Sequence, residues 1–321
     1  MNIKNKKFGK IGVLAGGPSN EREISLRSGK TVYEALLGRG CDAILLDVKN
    51  DICDIISSSA VDMAFIALHG RFGEDGGVQR MLEEMGVPYT GSGVDASRLA
   101  LDKIASKEVF QKCRIPVPGY AVFHKGDTDR KLRRPLGWPV VVKPQFEGSS
   151  IGLSIAGDED SFGEALDKAS EFGDKVLVEE YINGRELTVG ILGDKALPVI
   201  EIVASQGVYD YEAKYEDPAT RYLVPAPIGE EVSRLARELG ERSHKSLGAR
   251  SFSRVDMMLD KKGRIFVLEV NTIPGMTERS LLPKAAAAAG IDFGTLCIKL
   301  LEDAAQNFKS GVKSYHGSKE K

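Results

Sequence analysis

The first hundred residues alternate short apolar runs with amphipathic stretches, and that order leaves few folds open. Lys10–Ala15 is apolar and ends at Gly16-Gly17-Pro18, and a helical segment runs from about Ile24 to near Gly38. Asp42–Asp47 and Met63–Leu68 read as further strands, and Gly77–Met85 as a helix with Val78, Met81, Leu82 and Met85 on one face. Strand and helix in alternation predict an α/β unit, a parallel sheet with crossover helices. Ligands of such sheets bind beyond the carboxyl ends of the strands, where Gly16–Glu21 and His69–Gly76 fall.

A chain of 321 residues exceeds one ordinary core and predicts two or three packed domains. A single helix is expected over roughly Asp95–Cys113, broken by Ile115-Pro116-Val117-Pro118. Then come strand Val140–Lys143, a glycine- and serine-rich loop (Gln145–Gly152), strand Leu153–Ala156, helix Asp160–Glu171 and strand Val176–Tyr181. A hairpin of Glu186–Leu192 and Ala196–Val203 turns at Gly193-Asp194. The polar stretch from about Ser205 to Tyr222 lacks periodicity and reads as a lid. A helix around Glu230–Leu247 leads into a second hairpin, Phe252–Leu259 with Arg264–Asn271, and a last helix starts near Asp292. The expected division is residues 1–96, 97–184 and 185–312, with 313–321 a solvated tail. The hairpins make the C-terminal half α+β in character.

Lysines and arginines number 44 against 46 acids, so no basic excess points to nucleic acid. No apolar run has the length of a membrane span, and the four cysteines (Cys41, Cys53, Cys113, Cys297) are scattered without a C-x-x-C pair. The expected setting is a reducing compartment, the cytoplasm, with no membrane attachment.

The chemistry concentrates in the second hairpin. Residues two apart in a strand share a face, so Arg254 projects with Asp256, and Glu269 with Asn271, while Leu268 points away. If the connecting loop at Asp260–Gly263 holds an even number of residues, both sets meet on one face. Hard oxygens from Asp256, Glu269 and Asn271 then suit Mg²⁺ with substrate phosphates. The same residues taken alone read equally as a solvated face with an Arg–Glu cross-strand pair. Pro274-Gly275 would bring backbone amides and Ser280 beside that face, for a carboxylate or phosphate.

Lys143 ends a strand before the Gln145–Gly152 loop, and exposed amides with a nearby ammonium can cradle phosphate. The loop lacks the Walker A order and alone also reads as a mobile turn. Glu179 and Glu180, adjacent in a strand, must point to opposite faces. The acids Glu21 and Glu23 at the first helix suit either a substrate ammonium or the helix's first turn. His69 alone reads as a hydrogen-bonded turn residue rather than an acid or base, and His124 and His244 as surface residues.

Together these stretches resemble the ATP-grasp superfamily, and within it D-alanine–D-alanine ligases, across nearly the whole chain. The resemblance is carried by Gly16 through Ser25, Leu68-His69-Gly70 with Gly73-Glu74-Asp75-Gly76, Leu101-Asp102-Lys103, Lys143 through Gly152, Tyr209 through Tyr215, Arg254-Val255-Asp256 and Glu269 through Thr277. It implies an N-terminal Rossmann-like domain, then a two-part ATP-grasp fold, with ATP and two Mg²⁺ (or Mn²⁺) between its halves. By the same resemblance, Glu21 orients the ammonium of the first of two D-alanines, near His69, and Ser149 joins Glu21 to Tyr215. Lys103, Lys143 and Lys214 contact phosphates; Glu179, Ile182 and Glu186 line the adenine and ribose pocket. Asp256, Glu269 and Asn271 hold metal, Arg254 and Gly275 stabilise an oxyanion, and Ser280 and Leu281 meet the second substrate's carboxylate. The resemblance also implies a homodimer. Three positions depart from the usual pattern: Phe146, Ser251-Phe252-Ser253 and Arg279.

Overall fold

The computed structural model describes residues 5–49, 52–127, 136–204, 217 and 219–316. Lys214, Tyr215 and most of the expected lid lie outside the described residues.

The N-terminal unit is the expected parallel sheet. Strands β1 (Asn5–Gly16), β2 (Cys41–Val48) and β3 (Met63–Ile66) run in the order β2-β1-β3. Helices α1 (Arg22–Gly38), α2 (Ile52–Ser59) and α3 (Gly77–Glu84) flank it. Leu14, Ile66, Val78 and Leu82 fill one side of the sheet, and Val13, Val32, Leu36 and Phe65 the other. Burial on both faces explains why β1 reads as a near-continuous apolar run. Gly29 of α1 sits where a Cβ would collide with the Ala15 side chain of β1, which brings helix and strand unusually close.

The single helix expected over Asp95–Cys113 is two. Helix α4 (Val94–Leu101) stops, Asp102 adopts an extended conformation (φ −76°, ψ 96°), and α5 (Lys103–Lys112) restarts. Asp102 Oδ1 accepts from the N–H groups of Ile104 and Ala105, so the side chain caps the second helix. Both helices carry good apolar spacing, and only the cap separates them.

The second sheet is antiparallel, in the order β4-β7-β5-β6: β4 (Tyr120–His124), β5 (Val140–Pro144), β6 (Ser154–Ala156) and β7 (Lys175–Glu180), covered by α6 (Glu159–Ser170). In the third, β8 (Gly184–Leu192) is central: β9 (Lys195–Ala196) and β10 (Ile200–Val203) pair with it on one side, β12 (Phe252–Asp260) and then β13 (Ile265–Asn271) on the other. Strand β11 (Arg221–Leu223) closes the edge beside β10. Helix α7 (Glu230–Ser246) packs on its inner face, where Ala236 and Leu239 meet Val189, Val255, Val267 and Val270 together with Phe110 of α5.

The chain ends in α8 (Leu281–Ala288) and α9 (Phe293–His316), whose Leu296, Leu300 and Leu301 join the first unit's core. The helix continues through Lys313–His316, so the tail expected from residue 313 is shorter. No single helix among the described residues is long and apolar enough to cross a membrane. His244, expected at the surface, is fully buried and shares a proton with Ser253 Oγ at 2.7 Å through Nδ1, and burial lowers its pKa to about 4. Its position on the inner face of α7 decides this, through a neighbour nine residues away.

The close packing of α1 on β1 sets a stability test. Gly29→Val should destabilise the fold by about 2 kcal/mol through overpacking, whereas Gly38→Ala, with open space at its Cβ, should be neutral or stabilising by up to about 1 kcal/mol. Thermal or urea unfolding of both variants checks it; equal effects would contradict the packing.

Candidate active site

The carboxylates of the second hairpin do meet on one face, by a different route from the one expected. Leu259 pairs with Ile265, Met258 with Phe266 and Met257 with Val267, around a turn in which the Asp260 N–H donates to the Arg264 carbonyl at 2.9 Å. Three residues, Lys261 to Gly263, lie between that pair, an odd number. Continued unchanged, this register would set Asp256 against Leu268. A one-residue bulge shifts it, so that Asp256 lies opposite Glu269 and Arg254 opposite Asn271. Ile265, Val267 and Val270 stay in the core, and Leu268, expected to point away, faces the cleft with Glu269.

On that face Arg254 donates to both oxygens of Asp256, Nε to Oδ1 at 2.8 Å and an Nη to Oδ2 at 2.6 Å. Thr188 Oγ1 from β8 adds a third bond at 2.7 Å. Glu269 pairs with Lys103 of α5 at 3.1 Å, and the Lys103 ammonium also donates to the Glu147 carbonyl at 2.8 Å. Asn271 Oδ1 accepts from the Ile273 N–H at 2.9 Å.

The Gln145–Gly152 loop is tied to α5 at both ends of this contact. Lys103 N–H donates to the Gln145 carbonyl at 3.2 Å, and Gln145 Nε2 donates at 2.8 Å to the same Asp102 oxygen that caps the helix. Ser149 and Ser150 both take left-handed backbone conformations (φ 50° and 60°), each costing about 1 kcal/mol or more for a residue with a Cβ. This geometry lets Ser149 Oγ donate to Glu21 of the first unit. A side chain on Gly148 would lie 2.9 Å from the Glu21 carboxylate, so the loop backbone itself approaches that acid.

Glu179, on β7, is 2% exposed and forms ion pairs with two lysines: Lys143 at 2.5 Å, and Lys107 of α5. Burial would push the Glu179 pKa up, but the two ammoniums outweigh it and hold the carboxyl below its ordinary range. Lys143 is also buried, yet Glu179 and Glu269 keep its pKa above the usual lysine value. Glu180 points out to solvent, as alternation requires.

His69 is buried between units. Its Nε2 meets Ser28 Oγ of α1 at 3.0 Å, and its Nδ1 meets the Ile273 carbonyl at 3.0 Å and Glu74 at 3.6 Å. Ser28 Oγ also accepts from the Met276 N–H at 3.3 Å, so the pair joins the first unit to the loop after β13. Burial disfavours the imidazolium, but Glu74 and Glu21 overcome this and raise its pKa; burial raises that of Glu74 as well.

Two adjoining cavities result. One, of about 360 Å³, is lined by Glu21, His69, Arg254, Asn271, Gly275, Ser280 and Leu281. The other, of about 340 Å³, is lined by Lys143, Glu179, Ile182, Glu186 and Asp256. Lys103, Gly148, Ser149 and Glu269 line both and form their common wall. Every described residue to which the family resemblance gives a role therefore borders one or both of these adjoining spaces, whereas Glu23 is exposed and borders neither.

Asp256, Glu269 and Asn271 supply two carboxylates and an amide oxygen. Among the described residues no group of three or more His, Cys, Asp and Glu forms a metal cage. Such a partial oxygen set fits Mg²⁺, which keeps water and phosphate oxygens among its ligands. Lys107 and Thr188 stand in none of the motifs singled out in the sequence, and Glu74 stands in the Gly73–Gly76 motif without a role of its own. Lys107 was visible as the residue one turn after Lys103, whereas Thr188 became apparent only when β8 paired with β12.

The chain matches two family models, described as "D-ala D-ala ligase C-terminus" over residues 109–302 and "D-ala D-ala ligase N-terminus" over residues 48–92. It is 48% identical to a D-alanine–D-alanine ligase of Geotalea uraniireducens over 95% of this chain and 98% of that one. Among solved structures it is similar to the D-alanine–D-alanine ligase of Bacillus anthracis (TM-score 0.84, 36% identity, 94% of this chain and 99% of that one). It is also similar to a structure of the Bacillus anthracis enzyme complexed with ATP (TM-score 0.81, 32% identity, with the same coverages).

The proton balance at His69 is measurable. Folded His69 holds its proton more tightly than the unfolded chain does, so its protonated form contributes stability below the unfolded pKa. That contribution is lost as pH rises through the folded value. Glu74→Gln removes the main raising charge, and the His69 ring should then titrate at lower pH than in the parent protein. Ring NMR signals followed against pH test this; an unchanged midpoint would contradict the assignment.

Proposed function

The chain belongs to the D-alanine–D-alanine ligase family, and on that premise we propose how its two cavities divide the reaction. It is an ATP-dependent ligase of that class. The observation that carries the proposal is the shared wall of Lys103, Gly148, Ser149 and Glu269: a donor in one space and an acceptor in the other can react across it.

ATP occupies the cavity of Lys143, Glu179, Ile182 and Glu186, with Lys103, Lys143 and, from residues 205–222, Lys214 toward its phosphates. The first D-alanine lies in the cavity of Glu21 and His69, its ammonium held by Glu21. A carboxylate is a poor acceptor for an amine until one oxygen becomes a good leaving group. Attack of that carboxylate on the γ-phosphate gives an acyl phosphate and ADP; the second D-alanine's amine then displaces phosphate. Arg254 and the Gly275 N–H stabilise the tetrahedral oxyanion. The second carboxylate meets Ser280 and the N-terminus of α8 at Leu281, where free N–H groups favour an anion. Ser149 links Glu21 to Tyr215 in a lid that excludes water from the acyl phosphate.

Asp256, Glu269 and Asn271 would hold two Mg²⁺ (or Mn²⁺), which neutralise charge developing on the transferred phosphoryl group. Arg254 and Lys103 pair with the two carboxylates, and substrate oxygens would compete for the same two cations. The product would serve as a peptidoglycan precursor, made in the cytoplasm by a homodimer joined through its N-terminal region.

ADP release should depend strictly on D-alanine, with D-alanyl-D-alanine the product. A coupled ADP assay with product analysis, including competing D-serine, tests this; ATP binding without turnover would overturn it. Glu269→Gln should reduce kcat by at least about 100-fold while leaving the fold intact, and near-normal turnover would contradict the metal assignment. Tyr215→Phe should let D-lactate compete as acceptor, and unchanged selectivity would remove the lid tyrosine from the mechanism.

A further inference from the structure

Helix α5 carries two buried lysines one turn apart, and only Lys103 has a part in the reaction described above. Lys107 is fully buried and lines neither cavity. Its ammonium pairs with one oxygen of Glu179, lies 6.0 Å from the centre of the Tyr120 ring, and faces Lys143 across the same carboxylate. Lys143, on the other oxygen, borders the cavity together with Glu179, and Lys107 lies behind them.

The charge count is the informative feature. Glu179 with Lys143 alone would be a neutral buried pair, its ammonium held against the cavity wall. With Lys107 present, two positive charges share one negative charge. All three side chains are less than a tenth exposed, so solvent screens little of the remaining positive charge. Burial pulls the Lys107 pKa down; Glu179, itself held ionised by the two lysines, opposes that pull, and with the Lys143 charge beside it the Lys107 pKa stays below the ordinary lysine value.

We propose that Lys107 is a positioning residue that takes half of the Glu179 carboxylate, leaving Lys143 with net positive charge to offer a nucleotide's phosphates. This rests on the reading of that cavity as the nucleotide site. A side chain that borders neither cavity thereby sets the charge of the phosphate-facing wall.

The test is ATP binding to the full-length protein by calorimetry without D-alanine, with adenosine as the phosphate-free control. Lys107→Met should weaken ATP binding about tenfold and adenosine binding hardly at all. In Lys107→Met/Glu179→Gln, which leaves Lys143 as the only charge of the trio, loss of Glu179 from the pocket wall should weaken ATP and adenosine alike, and the ratio of the two affinities should return to within about threefold of the parent protein's. If Lys107→Met does not fold, the double variant, freed of the under-compensated buried acid, carries the test by its near-parent ratio of ATP to adenosine affinity. Lys143→Met separates the two layers of argument. If it weakens ATP binding while Lys107→Met does not, Lys107 has no positioning role. If Lys143→Met has no effect either, the phosphate reading of the cavity fails. A double variant that folds but keeps the lowered ATP-to-adenosine ratio of Lys107→Met would also overturn charge sharing.

Discussion

One carboxylate oxygen, Oδ1 of Asp102, holds the start of α5 and the Lys143–Gly152 segment in a common frame. It accepts from two N–H groups of the helix's first turn and from the Gln145 side chain. A helix starting there presents Lys103 and Lys107 on one face, since residues four apart are neighbours on a helix surface. Lys103 reaches Glu269 on the third sheet and Lys107 reaches Glu179 on the second. A short buried helix thus joins the two sheets through two ion pairs, with Phe110 seated in the third sheet's core.

The charges of the site are arranged to remain buried without cancelling. An isolated carboxylate in such surroundings would take up a proton rather than remain charged. Glu179 avoids this with two lysines; Asp256 is bonded to a bidentate arginine and a threonine, and Glu269 is paired with Lys103. Breaking a buried pair by removing one partner is far more costly than its formation is favourable. The wall is therefore preorganised, and the ionic contacts that hold the cavities in shape are those a polyanionic nucleotide would compete for.

The other side of the cleft is held by smaller groups. His69 and Ser28 bond to the loop after β13, and Ser149 reaches Glu21 from a strained backbone. These contacts cross between segments more than a hundred residues apart. The strain at Ser149 and Ser150 is tolerated because the loop is anchored through Gln145 and through Lys103's bond to Glu147.

The parallel first sheet, the antiparallel later strands and the polar faces of β12 and β13 were legible in the sequence, because they depend on period and on local turn residues. The motifs also named the family, since their residues occur in order along the chain. Tertiary structure alone decided three things. The bulge at Leu268 supplied the parity that a three-residue turn would have denied to Asp256 and Glu269, because register depends on pairing along the whole strand. The break at Asp102 divided one apparent helix, because a cap outweighed uninterrupted helical spacing. Lys107 and His244, ordinary polar residues by sequence, became fully buried, because burial is set by which elements pack against a helix face and no local pattern records that.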